Sequence, residues 1–249
     1  MTPCATGRRS YFVRMQYAPA PARPLEPRSS LGARTANDAL WTTYRWMTLG
    51  LALTGLVALG IASSSAAIGF LLGNSFVFFG LLIAQLGLVF AFNSAAQRAS
   101  TAVVAGMFFL YAALTGVTFS VLFLVYAASS IAGVFFVTAG AFAGLSAVGF
   151  FTKADLSAVG RFAIFAVIGL VLASVVNLFL QSTGLQWLVS IAGVLIFGAL
   201  TAYDTQKLKQ IFASGQASAN MPLVGALTLY LDFVNMFLFM LRLFGRRRS

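Results

Sequence analysis

The sequence predicts an all-α integral membrane protein with a bundle of seven transmembrane helices. Two observations support this prediction. Of the 249 residues, 60% are hydrophobic and only 8% are charged, whereas an ordinary soluble domain is about half apolar and about a quarter charged. The apolar residues are also gathered into runs of the roughly 20 residues that cross the hydrocarbon core of a bilayer. This composition excludes a soluble enzyme and a disordered protein.

Seven apolar runs follow the first 45 residues. We expect each run to be a helix, because an open strand would leave backbone groups unpaired in lipid. The runs comprise residues 46–66, 74–93, 102–126, 130–151, 160–180, 186–206 and 223–244. The third run is long for one span, so we expect it to tilt or break. Together the runs predict a transmembrane domain of residues 46–245.

Residues 1–45 differ in composition from the rest of the chain. They contain five of the six prolines and seven arginines, which is typical of a disordered basic tail. No apolar segment precedes the prolines, so we expect no secretory signal peptide. Many arginines with few acids are also typical of a mitochondrial presequence, and this alternative stays open.

Positive charge is unevenly distributed among the connections. The formal net charge is +11, but the basic residues lie in the tail, in short loops and at the C-terminus. We therefore expect no nucleic-acid partner. Basic residues occur in the connections 94–101, 152–159 and 207–222, and the other three connections carry no charge. The positive-inside rule then places the N-terminus in the cytoplasm.

The basic C-terminal end, residues 246–249, conflicts with this rule because seven spans place it outside. One solution is a last run that re-enters the membrane and returns to the cytoplasm. The other is a full span whose final arginines extend to the lipid headgroups. We expect the full span, because the run is long enough.

The residue types that are missing exclude several chemistries. The chain has no histidine, which excludes Ser-His catalysis and histidine metal sites. Its single cysteine, Cys4, excludes internal disulfides and cysteine metal clusters. We therefore predict no catalytic residues, no cofactor and no enzyme activity.

Two acids lie inside apolar runs. Asp204 is near the end of the sixth run and Asp232 is well inside the seventh. A charge at the bilayer centre costs about 2.5–3.5 kcal/mol on insertion scales, so an acid there indicates a functional site with a partner. The sixth run descends to the cytoplasm and the seventh rises from it. Both acids therefore lie in the cytoplasmic half, where they can meet.

Further polar side chains recur at helical spacing on the fifth, sixth and seventh runs. The predicted supporting residues are Thr201, Thr228, Asn235 and Asn177. We interpret them as a polar seam lining a wet interior. The alternative is hydrogen bonding between helices with no pathway. Small residues in Gly140-xxx-Gly144 and Ala112-xxx-Gly116 also predict close helix contacts.

Two carboxylates close together in a medium of low dielectric cannot both ionise cheaply. Such a pair shares a proton and titrates as a unit. Loss of that proton makes the acids repel or leaves them to bind a cation. Asp204 and Asp232 are therefore candidate ligands for a hard ion such as Ca²⁺. Two carboxylates alone do not select Ca²⁺ over H⁺, Na⁺ or K⁺.

The stretch AYDTQKLKQI (Ala202–Ile211) resembles the signature of the Bax inhibitor-1 family, especially its bacterial YccA/YbhL-like branch. Four other pieces match in order. They are FLYAALTGVTFS (Phe109–Ser120), FTKADLSAVGRF (Phe151–Phe162), VNLFL (Val176–Leu180) and LYLDFVNMFLFMLRLFG (Leu229–Gly245). The combination is specific and covers about residues 46–245.

The resemblance implies a seven-helix fold of the Bax inhibitor-1 type, with the last helix near the centre. It implies a pH-sensitive Ca²⁺ leak controlled by two aspartates that match Asp204 and Asp232, with Ca²⁺ and H⁺ as the transported or sensed ions. A basic residue of helix two latches an aspartate in the family, and Arg98 is the nearest candidate here. Gln85 stands where many relatives have glutamate. The implied location is the bacterial inner (plasma) membrane, with the mitochondrial inner membrane as the alternative.

Two other functions remain open beside the leak. Some bacterial relatives are implicated as substrates or modulators of the membrane-anchored protease FtsH, so the chain is alternatively a regulator or substrate of such an AAA protease without conduction of its own. The basic tail would then be the segment that the protease grips. An intramembrane aspartyl protease is disfavoured, because Tyr230-Leu231-Asp232 lacks the glycines of that motif.

Overall fold

The computed structural model describes the backbone of residues 28–248 and the side chains of residues 36–248. The described residues form helices, with one isolated β-bridge and no longer strand. The helices are α1 (Arg28–Ala62), α2 (Ser65–Gly73), α3 (Ser75–Arg98), α4 (Thr101–Phe119), α5 (Leu122–Val125), α6 (Ala128–Phe151), α7 (Ser157–Leu180), α8 (Thr183–Ala213) and α9 (Met221–Phe244).

Seven segments of the described chain are long and apolar enough to cross a membrane. They are α1 from Ala36 onward, α3, α4 with α5, α6, α7, α8 and α9. The outer surface carries large apolar side chains that a water-facing surface would not, such as Phe76 and Phe179. The prediction of an all-α protein with seven spans is therefore confirmed. The lipid bilayer surrounds these helices.

The first helix begins earlier than the sequence analysis expects. Helix α1 already includes residues 28–45, so the predicted boundary of the tail at residue 45 is corrected. Ala36, Leu40 and Thr43 are buried at helical spacing on one face. Mean hydropathy misses this stretch because polar residues occupy its other face. The predicted disorder of residues 1–27 lies outside the described residues.

One predicted break is confirmed, and one predicted loop is helical. The third run breaks at Ser120, as its length predicts, and the short α5 completes the crossing. The Ser120 hydroxyl donates a hydrogen bond to the carbonyl of Val117 at 2.6 Å. The segment 67–73, expected to be a loop, belongs to α2, whose first turn is capped by the Ser64 side chain.

Helix α9 lies at the centre of the bundle. It packs against α1, α3, α4, α6 and α8. In its most apolar stretch 67% of the residues are buried, compared with 11% in α3 and in α7. This arrangement confirms the expected central position of the last helix. It also explains why an acid in α9 can be buried by protein rather than exposed to lipid.

Helix α9 crosses the whole bundle. At its start, the Asn220 side chain donates hydrogen bonds to the carbonyls of Ala96 and Ala99, next to the beginning of α4. Beyond its end, the amide of Ala127 donates to the carbonyl of Arg246 at 3.1 Å, next to the beginning of α6. Since α4 and α5 connect these two ends, the structure supports the full span and not the re-entrant alternative.

The small-residue motifs have different outcomes. A Cβ on Gly116 would lie 2.7 Å from the carbonyl oxygen of Thr54, so the predicted contact of α4 is confirmed and its partner is α1. Gly140 and Gly144 face open space, so the predicted contact there is wrong. Helix α6 instead approaches α8 at Gly149, where a Cβ would overlap the backbone of Ala202.

Candidate functional site

The structure brings Asp204 of α8 and Asp232 of α9 together. Helices α8 and α9 run in opposite directions and pack along their length. Their carboxyl groups lie within hydrogen-bonding reach of each other. Asp232 is 5% exposed, and Asp204 is half-buried. The two acids thus form one buried group, referred to below as the acid pair.

The acid pair is arranged to hold one proton. Two ionised carboxylates offer only acceptors, so the contact becomes a hydrogen bond only when one of them is protonated. The Oδ2 atom of Asp232 is buried and has no hydrogen-bond partner among the described residues. A buried charge without a partner is costly. A single proton held between the two carboxyl groups would turn their contact into a hydrogen bond and leave one buried charge instead of two.

Residues that follow Asp204 attach this end of α8 to the rest of the bundle. The Thr205 hydroxyl lies 3.1 Å from the Tyr44 hydroxyl of α1. The Gln206 side chain accepts from the amide of Leu156 at 2.9 Å and donates to the carbonyl of Ala154 at 2.8 Å. Movement of α8 near the acid pair would therefore strain or break its hydrogen bonds to α1 and to the loop between α6 and α7.

Two lysines of the same segment make different contacts. Lys207 lies one turn beyond Asp204 on α8, and its ammonium is 5.7 Å from the ring centre of Tyr203. Lys209 donates a hydrogen bond of 2.7 Å to the carbonyl of Phe150. It thus places its charge at the C-terminal end of α6, where a cation is favoured.

The predicted supporting residues make their hydrogen bonds within or next to their own helices. The Thr201, Thr228 and Asn235 side chains each donate to a carbonyl one turn back on their own helix. Asn177 accepts from the amide of Ser182 and helps to end α7. Asn177 and Asn235 do line one cleft, which is described further below.

Arg98, the candidate latch, is exposed at the last turn of α3. Helix α3 packs against α4 and α9. Lys207 lies three positions after Asp204 on α8 and is the basic residue nearest to it in the sequence. The structure therefore leaves the latch as a prediction and adds Lys207 as a nearer basic residue.

A second polar cluster lies on the opposite side of α9. The Tyr230 hydroxyl is 2.6 Å from that of Thr54, and Thr115 donates to the Gln85 side chain at 3.3 Å. All four side chains are buried. Sequence reasoning missed this cluster, although Tyr230 precedes Asp232 by two positions and so must face another helix.

The acid pair offers at most four carboxylate oxygens, whereas Ca²⁺ takes six to eight oxygen ligands. Within residues 36–248 no group of three or more His, Cys, Asp or Glu side chains could hold a metal ion. An ion bound by the pair alone would therefore keep water molecules as its remaining ligands. This donor set suits brief contact with a cation better than permanent storage of one.

Seven spans around a buried acid pair define the class as a polytopic membrane protein with an intramembrane acidic site. Comparison with known proteins narrows this class. The family model described as "Inhibitor of apoptosis-promoting Bax1" matches residues 36–249. The inner membrane protein YbhL of Escherichia coli (strain K12) is 46% identical over 229 residues, covering 90% of this chain and 96% of that relative. The chain therefore belongs to the Bax inhibitor-1 family.

Other bacteria have similar proteins. A protein of Deinococcus radiodurans is 46% identical over 208 residues, which cover 82% of this chain and 89% of that relative. One of Rickettsia prowazekii is 36% identical over 209 residues, with 83% and 88% covered. The YbhL relative and the seven spans confirm the predicted location in the bacterial inner membrane. That the protein is not an enzyme stays a prediction.

Proposed function

We propose that the protein is a pH-sensitive cation leak, with Ca²⁺ as its main ion, and that the acid pair closes and opens it. The contact between Asp204 and Asp232 carries this proposal. Two of the chain's five acids meet between the helices that also carry the family signature. A purely structural role would be met more cheaply by apolar side chains, because burying carboxyl groups costs free energy.

The closed state is the singly protonated pair. One shared proton joins the two carboxyl groups in a hydrogen bond and holds α8 against α9. Loss of that proton leaves two like charges in contact, which repel by about 4 kcal/mol at about 4 Å and an effective dielectric constant of about 20. This repulsion exceeds the roughly 1 kcal/mol that a typical hydrogen bond contributes. The deprotonated pair therefore separates or takes up a cation.

The direction of the pH dependence follows from this mechanism. Acidic conditions keep the proton and the closed contact, and alkaline conditions remove them. Cation flux therefore increases as the pH rises through the titration of the pair. Ca²⁺ fits the vacated contact because oxygen ligands and negative charge favour a hard divalent ion.

The test is Ca²⁺ flux into proteoliposomes between about pH 6 and about pH 8, a range in which a paired carboxylate can titrate. The wild type is compared with Asp204→Asn/Asp232→Asn, which keeps the shape of both side chains but not their titration. We expect a pH-dependent flux in the wild type and no pH dependence in the double variant.

Asp155→Asn is the matched control for this test. Asp155 lies in the loop before α7, where its carboxylate accepts a hydrogen bond from the amide of Ser157 at 2.9 Å. Hydrogen bonds from Ser157 lower the pKa of Asp155 below its ordinary value, so this acid stays ionised throughout the range. Its replacement should leave the pH dependence intact. Equal flux in all variants, or none, would instead favour the protease-regulator alternative.

A further inference from the structure

A polar cleft opens between α7, α8 and α9 on the side toward which α9 ends. Its volume is about 650 Å³. Six polar side chains from the three helices line it, namely Ser174, Asn177, Gln181, Gln186, Asn235 and Arg242. The other eight lining residues are apolar, so polar and apolar side chains share the wall of the cleft. Water satisfies the polar groups better than acyl chains do.

Two stacked aromatic rings stand at the inner part of this cleft. Phe197 of α8 and Phe239 of α9 both line it. Their ring centres are 6.0 Å apart and their planes are inclined by 23°, and both rings are buried. A Cβ on Gly193 would overlap the Phe239 ring, so the glycine at this position makes the stacked arrangement possible.

The stacked rings lie in register with the acid pair. Phe197 precedes Asp204 by seven positions and Phe239 follows Asp232 by seven. Because α8 and α9 are antiparallel, both steps lead in the same direction, away from the predicted cytoplasmic side. At 1.5 Å per residue the stack lies about 10 Å from the acid pair. The rings therefore stand between the acids and the part of the cleft at Arg242, and Asn235 is the lining residue of α9 that lies between the rings and Asp232.

Arg242 is the charged group of the cleft. It lies one turn beyond Phe239 and its guanidinium is 5.4 Å from the centre of that ring. Its side chain is exposed, so the charge faces the opening. A fixed positive charge there repels cations that approach and attracts anions.

We propose that this cleft is a water-filled vestibule from which ions reach the acid pair, with the Phe197–Phe239 stack as its barrier and Arg242 as a charge that limits cation entry. The ion-controlling part rests on the proposed leak function. The presence of water in the cleft does not depend on it, so the two can be tested separately.

The first experiment is thiol labelling in open membrane fragments, where both sides are accessible. The chain has one cysteine, so Cys4→Ser provides a background without thiols. Ser174→Cys places a thiol in the cleft, and Val176→Cys places one on the exposed, lipid-facing surface of the same helix. Gln181→Cys replaces Ser174→Cys if the latter does not fold.

Water-soluble methanethiosulfonate reagents react with the thiolate, which forms in water and not in lipid. We expect the cleft thiol to react about tenfold or more faster than the Val176→Cys thiol. With each rate divided by that of the same reagent with a small thiol in solution, the anionic reagent should be favoured over the cationic one. Arg242→Gln should increase the labelling rate of the cationic reagent about threefold to tenfold, which is the effect of removing one partly screened charge nearby.

Equal labelling rates at the cleft and at the lipid-facing position would overturn the proposal, because they are the result expected for a cleft filled by acyl chains. An unchanged preference between reagents would overturn the role of Arg242.

The second experiment is Ca²⁺ flux with Arg242→Gln and with Phe197→Leu. We expect either variant to increase the flux several-fold without moving the pH midpoint, which the acid pair sets. Fast labelling of the cleft thiol with no Ca²⁺ flux in the wild type or in either variant would contradict the leak function and support the vestibule. Slow labelling together with a normal pH-dependent flux would reject the vestibule and retain the leak.

Discussion

The hydroxyl group of Tyr44 on α1 lies 3.1 Å from that of Thr205 on α8, directly after Asp204. This hydrogen bond links the first helix to the acid pair. Thr205 is fully buried, so its hydroxyl depends on Tyr44 for a partner from another helix. Tyr44 therefore makes a specific contact with the segment of α8 that carries Asp204.

Tyr44→Phe should destabilise the protein. The variant keeps the ring but leaves the Thr205 hydroxyl buried without this partner, which costs about 1–3 kcal/mol. We expect a lower thermal unfolding midpoint in detergent. Tyr203→Phe is the control, because the Tyr203 ring contacts Lys207 and Gly160. Equal midpoints for the two variants would show that the Tyr44 hydroxyl contributes nothing.

Asp232→Asn alone should lock the closed state. An amide at this position is neutral at every pH and can donate a hydrogen bond to Asp204, as the protonated acid does. Flux should therefore stay near its acidic level between about pH 6 and about pH 8. Proteoliposome measurements check this, with Asp155→Asn as reference. A flux that still rose with pH would mean that Asp232 does not carry the controlling proton.

Lys209→Met should cost more stability than Lys207→Met. Lys209 makes a charge-assisted hydrogen bond to the carbonyl of Phe150 and lies 4.4 Å from the centre of its ring. Hydrogen bonds of charged groups contribute about 1.5–3 kcal/mol. Lys207 is exposed, and its contact with Tyr203 should contribute about 0.5–1 kcal/mol. Chemical unfolding in detergent measures both, and the reverse order would contradict the assignment.

Gly149→Ala should be far more damaging than Gly144→Ala. A methyl group on Gly149 would overlap the backbone of Ala202, two positions before Asp204, whereas Gly144 faces open space. Overpacking costs about 1–3 kcal/mol or more. We expect Gly149→Ala to lower the unfolding midpoint and to disturb the flux, and Gly144→Ala to do neither. Similar behaviour of the two variants would contradict the packing of α6 on α8.

Much of the fold follows from composition and spacing. Apolar runs of sufficient length predict the seven helices, and the cost of burying charge singles out Asp204 and Asp232 before any contact is known. Their proximity is also foreseeable, since adjacent antiparallel helices place them on the same half of the membrane. These predictions succeed because each depends on a property of single segments, namely the length of an apolar run, the position of a charge in it or the direction in which it crosses the membrane.

Other features depend on which face of a helix meets which neighbour. Gly140-xxx-Gly144 satisfies the spacing rule and yet faces open space, while the close approach occurs at Gly149. In a span that is apolar on every side, hydropathy cannot show the direction of a side chain. The beginning of α1 is hidden for a related reason, because a polar face lowers its mean hydropathy. The Phe197–Phe239 stack likewise needs the register of α8 against α9.

The most direct test of the central claim is infrared difference spectroscopy of the purified protein as the pH is raised, with Ca²⁺ flux measured in parallel. We expect the carbonyl band of one protonated carboxylic acid to disappear with the same midpoint at which flux appears. In Asp232→Asn, that band and the pH dependence of flux should both be missing. A wild type without a protonated carboxyl group at the acidic end, or with a midpoint unrelated to flux, would contradict control by the Asp204–Asp232 proton.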